Sequence, residues 1–163
     1  SDRGAPARNG FYVERFRTMA LDMVDRFVIA LPGANRTFEA LRTRGVRTAV
    51  LSNGWNPLQL RKARCAGFEG PVLASADIGK RKPDACAFET LIETLGTAAE
   101  NTWYVGDDPC ADVEGARAAG LRAVWIDAEK KTFPPDLAPP PFTIHALEEL
   151  ADLVTSPSQI GMR

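Results

Sequence analysis

The sequence predicts an α/β fold, a mainly parallel sheet flanked by helices. Two observations carry this. From Val46 onward, short β-branched runs alternate with helical stretches at the spacing of β-α-β units. The composition is globular, with 45% hydrophobic and 25% charged residues over 163 positions, the size of one ordinary domain.

The elements follow in order. Residues 1–31 open small and polar. Val13, Phe16, Ala20, Met23, Val24 and Phe27 then fall at helical spacing, with Arg15, Asp22, Asp25 and Arg26 mostly off the stripe. Val46 to Leu51 reads as a buried strand. Asn56 caps the next helix with Pro57 as its first residue, and Gly67 suits its exit. Val72 to Ala74 is a weaker strand. From Asp84 to Leu95 the chain is helical, because Phe88, Leu91, Ile92 and Leu95 share one face and Gly96 closes it. Trp103 to Val105 is a third strand. Asp108-Pro109 repeats the cap-plus-proline start of a helix that ends at Gly120, and Ala123 to Ile126 is a fourth strand. A proline-rich loop from Phe133 to Phe142 leads to a last helix carrying Leu147, Leu150, Leu153 and Val154. No repeat and no domain-scale linker interrupts this order.

Several function classes are excluded. A net charge of −1 and a pI near 5.9 argue against a protein that coats nucleic acid or an acidic membrane. The longest apolar stretch lies around Phe27–Pro32, far too short to cross a bilayer, and there is no secretory signal. Cys65, Cys86 and Cys110 are odd in number, far apart and form no C-x-x-C. That excludes a disulfide scaffold and a cysteine zinc site and fits a cytoplasmic protein. The single histidine, His145, excludes a His-rich metal centre and reads as a loop or helix-start residue.

In a parallel sheet the ligand site lies beyond the C-terminal strand ends. Three such ends converge here. Ser52-Asn53-Gly54 offers a hydroxyl and exposed N–H groups to an anion, although taken alone it better suits a plain turn. In Gly79-Lys80-Arg81-Lys82-Pro83-Asp84, Pro83 restricts Lys82 to extended backbone and Asp84 can cap the following helix. A lysine held this way can neutralise a phosphoryl group, although a solvated basic turn has the same composition. In Gly106-Asp107-Asp108-Pro109-Cys110-Ala111-Asp112, carboxylates at a strand end and five positions on can hold Mg2+ through oxygen. Asp108 has a plain role as N-cap, and Asp112 suits the helix macrodipole. Asp107 has neither role and sits beside a like charge, which favours a nearby cation.

Together these pieces resemble the haloacid dehalogenase superfamily of hydrolases. Leu51-Ser52-Asn53-Gly54 is similar to its second motif, Lys82-Pro83-Asp84 to its third, and Gly106-Asp107-Asp108 through Asp112 and on to Gly120 to its fourth. Leu31-Pro32-Gly33 with Leu41 to Gly45 is typical of the capped subfamily. The resemblance runs from about Pro32 to Val154. It implies a Rossmann-like core whose parent activity is Mg2+-dependent hydrolysis of a small-molecule phosphate ester through an aspartyl-phosphate. Ser52 and Lys82 would be catalytic and bind phosphate, with Asn53 and Gly54 shaping the phosphate loop. Asp107 would bind Mg2+ with Asp108 beside it, and Asp112 would support the metal shell or orient Lys82.

One departure is large. The family's nucleophile is an Asp in a D-x-D pattern ending the central strand, and no such motif occurs. Asp22 and Asp25 lie on a helix, Asp2 has no strand before it, and Asp127 ends a strand remote from the site by family topology. The expectation is therefore a chain that begins inside or just after the cap insertion. Residues 1–31 are then a cap remnant or connection, and residues 32–163 a core without its central strand. Such a chain is expected to be inactive alone and to have the missing N-terminal segment as a partner. Alternatives are a non-catalytic relative that keeps the phosphate and metal pocket, and a metal-free 2-haloacid dehalogenase, which the Asp107-Asp108 pair disfavours. A receiver domain fails on order, since here the serine comes first and the acid pair last.

Overall fold

The computed structural model describes residues 6–155. Helix α1 (Pro6–Phe27) is where the periodicity predicts a helix, but its apolar stripe is not core. Val24 is buried, whereas Phe16, Met23 and Phe27 are exposed. Helical spacing selects the local conformation, while burial needs a partner surface. The surface it has is α3 (Leu58–Cys65), reached by Arg61 donating to the Leu21 carbonyl, and the turn before it, where Arg17 stacks over Trp55.

Helix α2 (Ala34–Thr43) starts after Gly33, whose φ is +78°. A Cβ there would fall 1.9 Å from the Glu148 carboxylate, so glycine serves both the turn and the close approach. Strand β1 (Val50–Ser52) pairs in parallel with β2 (Val72–Ala74), matching Val50 to Val72 and Ser52 to Ala74. The predicted strand over Val46 to Leu51 is thus displaced to its C-terminal end, because ladder pairing begins only where Val50 N–H meets the Pro71 carbonyl. Pro57 is the cap of α3 rather than its first residue. Asn56 still serves the helix start, its Oδ1 accepting from Leu60 N–H at 3.0 Å.

A short helix α4 (Ser75–Ile78), unpredicted, follows β2 directly. Helix α5 (Ala85–Leu95) is as expected, with Asp84 accepting from Cys86 N–H and Gly96 in the left-handed region. Strand β3 (Trp103–Gly106) leads into a widened helical segment (Pro109–Glu114) continuing as α6 (Gly115–Ala118). Asp108 caps it, taking the N–H groups of Cys110 and Ala111. Strand β4 (Arg122–Ile126) runs parallel to β3, and β5 (Phe142–Ile144) parallel to β4. β5 is missed in the sequence because three residues after a proline-rich loop are too few to show a period of two. Helix α7 (Glu148–Thr155) closes the described chain. His145 lies between β5 and α7, as expected.

The strands form two parallel sheets, β1-β2 and β3-β4-β5. They share a core in which Leu51 and Leu73 meet Phe88, Leu91, Tyr104 and Trp125. A second cluster packs Val124, Ile126 and Ile144 under α7. Between β1 and β3 lies a cavity of about 730 Å3. No described helix is long and apolar enough to cross a membrane.

Candidate active site

The loops after β1, β2 and β3 are tied together by one chain of hydrogen bonds. Asn53, the residue after β1, clamps the Lys82 backbone with both ends of its amide: Nδ2 donates to the carbonyl at 3.0 Å and Oδ1 accepts from the N–H at 2.9 Å. The Lys82 side chain then reaches Asp112, with Nζ 2.5 Å from Oδ1. Asp112 Oδ2 accepts from Asp108 N–H at 3.1 Å, which joins the loop after β3. The residue after Ser52, Lys82 and the residue after Asp107 are thus joined in one network across the C-terminal ends of the two sheets.

The Lys82–Asp112 pair is shielded, with side chains 12% and 6% exposed. It sits on Tyr104, whose ring centroid is 5.6 Å from Nζ. The Tyr104 hydroxyl donates to the Leu51 carbonyl at 3.2 Å and lies 3.4 Å from Asp112 Oδ1. Burial, and then the adjacent Asp112 carboxylate, raise the phenol far above its ordinary range, so it stays a donor. Gly106 makes room for this arrangement. A Cβ there would lie 2.2 Å from the Asp112 carboxyl carbon.

Residues that no motif signalled hold the phosphate-loop candidates. Ser52 Oγ donates to Gln59 Oε1 at 3.1 Å. Gly54 N–H donates to Ser75 Oγ at 2.9 Å, and that hydroxyl donates back to the Gly54 carbonyl. A Cβ on Gly54 would meet the Gln59 amide at 2.3 Å. Ser75 at a strand-to-helix junction carried a weak local signal; Gln59 and Tyr104 carried none, since their roles depend on contacts across the fold.

The acids divide. Asp112 has both oxygens occupied within the network, the arrangement that orients Lys82. One oxygen of Asp108 is held by the helix cap. Asp107 is exposed, and its carboxylate accepts no hydrogen bond among the described residues; its backbone carbonyl accepts from the Trp125 indole at 3.1 Å. No group of three or more acidic, histidine or cysteine side chains suited to a metal forms among the described residues. The remaining donors are hard oxygens, which fits Mg2+, an ion that takes one or two carboxylates and completes its shell with water and substrate phosphate.

The model of haloacid dehalogenase-like hydrolases matches residues 7–120 of this chain, from α1 through the helix after β3. The chain belongs to that family. Among this family's curated members, phosphoserine phosphatase of Thermus thermophilus is 39% identical over 111 residues, 66% of this chain and 45% of that protein. Haloacetate dehalogenase H-2 of Moraxella is 32% identical, over 76% of this chain and 56% of its own. The magnesium-bound structure of the HAD-hydrolase YfnB from Bacillus subtilis superposes with a TM-score of 0.67 at 28% identity, covering 76% of this chain and 55% of that one. The chain spans about half the length of the curated relatives it matches.

Proposed function

We propose that this chain is the core of a hydrolase of small phosphate esters, carrying the phosphate- and metal-binding half of its active site. The observation that carries the reading is the continuous network Asn53–Lys82–Asp112–Asp108, which holds one shielded ammonium on a loop clamped by the residue after Ser52. Phosphoryl transfer depends mainly on positioning and electrostatic stabilisation, and a pre-oriented cation is the central component of both. Phosphatases among the relatives support the phosphate ester as substrate class.

In this reading Lys82 neutralises the phosphoryl oxygens, and Asp112 keeps its ammonium aimed without leaving a charge unpaired. The Ser52 hydroxyl turns from Gln59 to a phosphoryl oxygen. Asn53 and Gly54 set the loop, one through Lys82 and the other through Ser75. Asp107, with the free oxygen of Asp108 beside it, would hold Mg2+, which when bound would neutralise charge on the phosphoryl group. Residues 1–31 serve as the connection to a helical cap and residues 32–163 as the core. The three free thiols fit a cytoplasmic setting.

The attacking group comes from outside these residues. Covalent transfer needs a carboxylate in line with the leaving group; in this reading the strand-end Asp107 is committed to the metal, and Asp127 Oδ1 accepts from Lys131 N–H at 2.7 Å. Ser52 has no base to activate it, because its hydroxyl partner is the Gln59 amide. With Mg2+ present, the 163-residue chain should hydrolyse aryl phosphates no faster than its Lys82→Ala variant. The same chain preceded by an apolar strand ending in D-x-D should gain turnover that Lys82→Ala removes. Robust Mg2+-dependent turnover by the 163 residues alone would overturn the assignment. Chloroacetate, assayed beside the phosphates, tests dehalogenation, which the Moraxella relative makes the alternative.

A further inference from the structure

We infer that Lys131, on the loop after β4, is a specificity residue that binds a second anionic group, carboxylate or phosphate, carried by the leaving group of the ester. The inference rests on the hydrolase reading above and narrows its substrate class. The loop is built from the strand upward. Asp127 follows β4 directly and is 5% exposed. Its Oδ1 accepts from Lys131 N–H at 2.7 Å, which closes the chain into a turn. Lys130 stands in that turn at φ +56°, the one described non-glycine residue in the left-handed region. Such a backbone persists where the surrounding structure over-determines it. Phe133 then packs edge-on against Trp125, with ring centroids 5.0 Å apart, and the Trp125 indole donates to the Asp107 carbonyl. A buried acid and an aromatic pair thus hold the loop beside Asp107.

The loop walls a pocket of about 400 Å3, among whose lining residues are Asp107, Asp108, Trp125, Lys131 and Thr132. That is room for a small ligand group. Asp107 and Lys131 also border the larger cavity between the sheets. Asp108 connects the pocket to the Lys82 network, because its N–H donates to Asp112, the partner of Lys82. Lys131 is the one basic side chain in the pocket lining. With Asp107 and Asp108 assigned to the metal, its ammonium is the charge left for the rest of the substrate. A lysine ammonium is a compact charge with three rotatable donors, so it takes a carboxylate or a phosphate alike.

Lys131 is held quite differently from Lys82. Its Nζ pairs with Glu129 Oε2 at 2.9 Å, and the two side chains are 62% and 74% exposed. An ion pair in water contributes little, so Glu129 gives way readily to another anion. The Glu129 carboxylate, and after it those of Asp107 and Asp127, hold the ammonium above the ordinary lysine range, so it stays charged. Lys82 is locked to a shielded partner. The locked lysine suits the phosphoryl group that every substrate shares, and the exchangeable one suits the part that differs between substrates.

The test is an NMR titration of the 163-residue chain in Mg2+ with phosphoglycolate, ethane-1,2-diyl bisphosphate and ethyl phosphate, the last lacking a second anion. At least one of the first two should bind about fivefold or more tighter than ethyl phosphate, the upper range for an exposed ion pair. It should also shift resonances of Lys131 and Thr132 that ethyl phosphate leaves in place. Lys131→Gln should reduce the preference to about twofold or less, as expected when the ion pair is removed. Lys130→Gln removes the same charge one residue away and should retain the preference. Whichever of the two probes binds tighter identifies the second anion as carboxylate or phosphate. A weaker preference in the parent chain, a preference that survives Lys131→Gln, or an equal loss in Lys130→Gln would overturn the inference. Lys82→Ala tests the hydrolase reading separately, since it should weaken all three probes. If it weakens none, that reading falls and the inference falls with it.

Discussion

Lys82, on the loop after β2, and Asp107, on the loop after β3, are built in opposite ways. Lys82 is fixed at both ends: Asn53 holds its backbone, Asp112 holds its ammonium, and Tyr104 lies beneath it. Asp107 is exposed and its carboxylate accepts no hydrogen bond among the described residues. The first half of the site is assembled by the fold, so it contributes to stability as well as chemistry. The second half, in the proposed function, would contact ion and substrate and contribute to chemistry alone. A buried cation must be paired when the site is empty, whereas an exposed acid is stabilised by water.

The sharpest way to break this contrast is Asp112→Ala. It leaves the Lys82 ammonium shielded and unpaired, and urea unfolding should show a loss of about 3–5 kcal/mol. Gly106→Ala should cost about 2 kcal/mol, since the new methyl group displaces the Asp112 carboxylate. Both changes act on one carboxylate, so the double variant should lose clearly less than the sum of the two; full additivity would show that Gly106 does not act through Asp112. The smallest effect belongs to Asp107→Asn. Stability should change by less than about 0.5 kcal/mol, while the millimolar Mg2+ binding expected of the parent chain in an NMR titration disappears. A large loss of stability in that variant would mean that Asp107 is structural and that the contrast is false.

Helices α1 and α5 show how far periodicity reaches. Both were legible, because apolar spacing and local caps act within a few residues. Only α5 had a legible fate: its Phe88 and Leu91 are core, while most of the equivalent stripe on α1 faces outward. The three motif loops were legible for the same local reason, as strand ends followed by Gly, Pro and a capping Asp. Strand β5 and helix α4 were not, because three or four residues carry too little pattern to outweigh the surrounding loop signal.

By itself the sequence determined the α/β order, the parallel sheet, and the residue types gathered at its C-terminal edge, since each rests on backbone preferences and side-chain chemistry of neighbouring positions. Tertiary structure alone decided which groups were joined and which left open. Gln59 on Ser52, Ser75 on Gly54, Tyr104 under Lys82 and both oxygens of Asp112 are contacts between elements separated by turns and helices, and no spacing rule encodes them. The division into two sheets was decided there too. Strand pairing is a choice among edges, made by which surfaces can be buried together, and it leaves β1 and β3 lining one cavity.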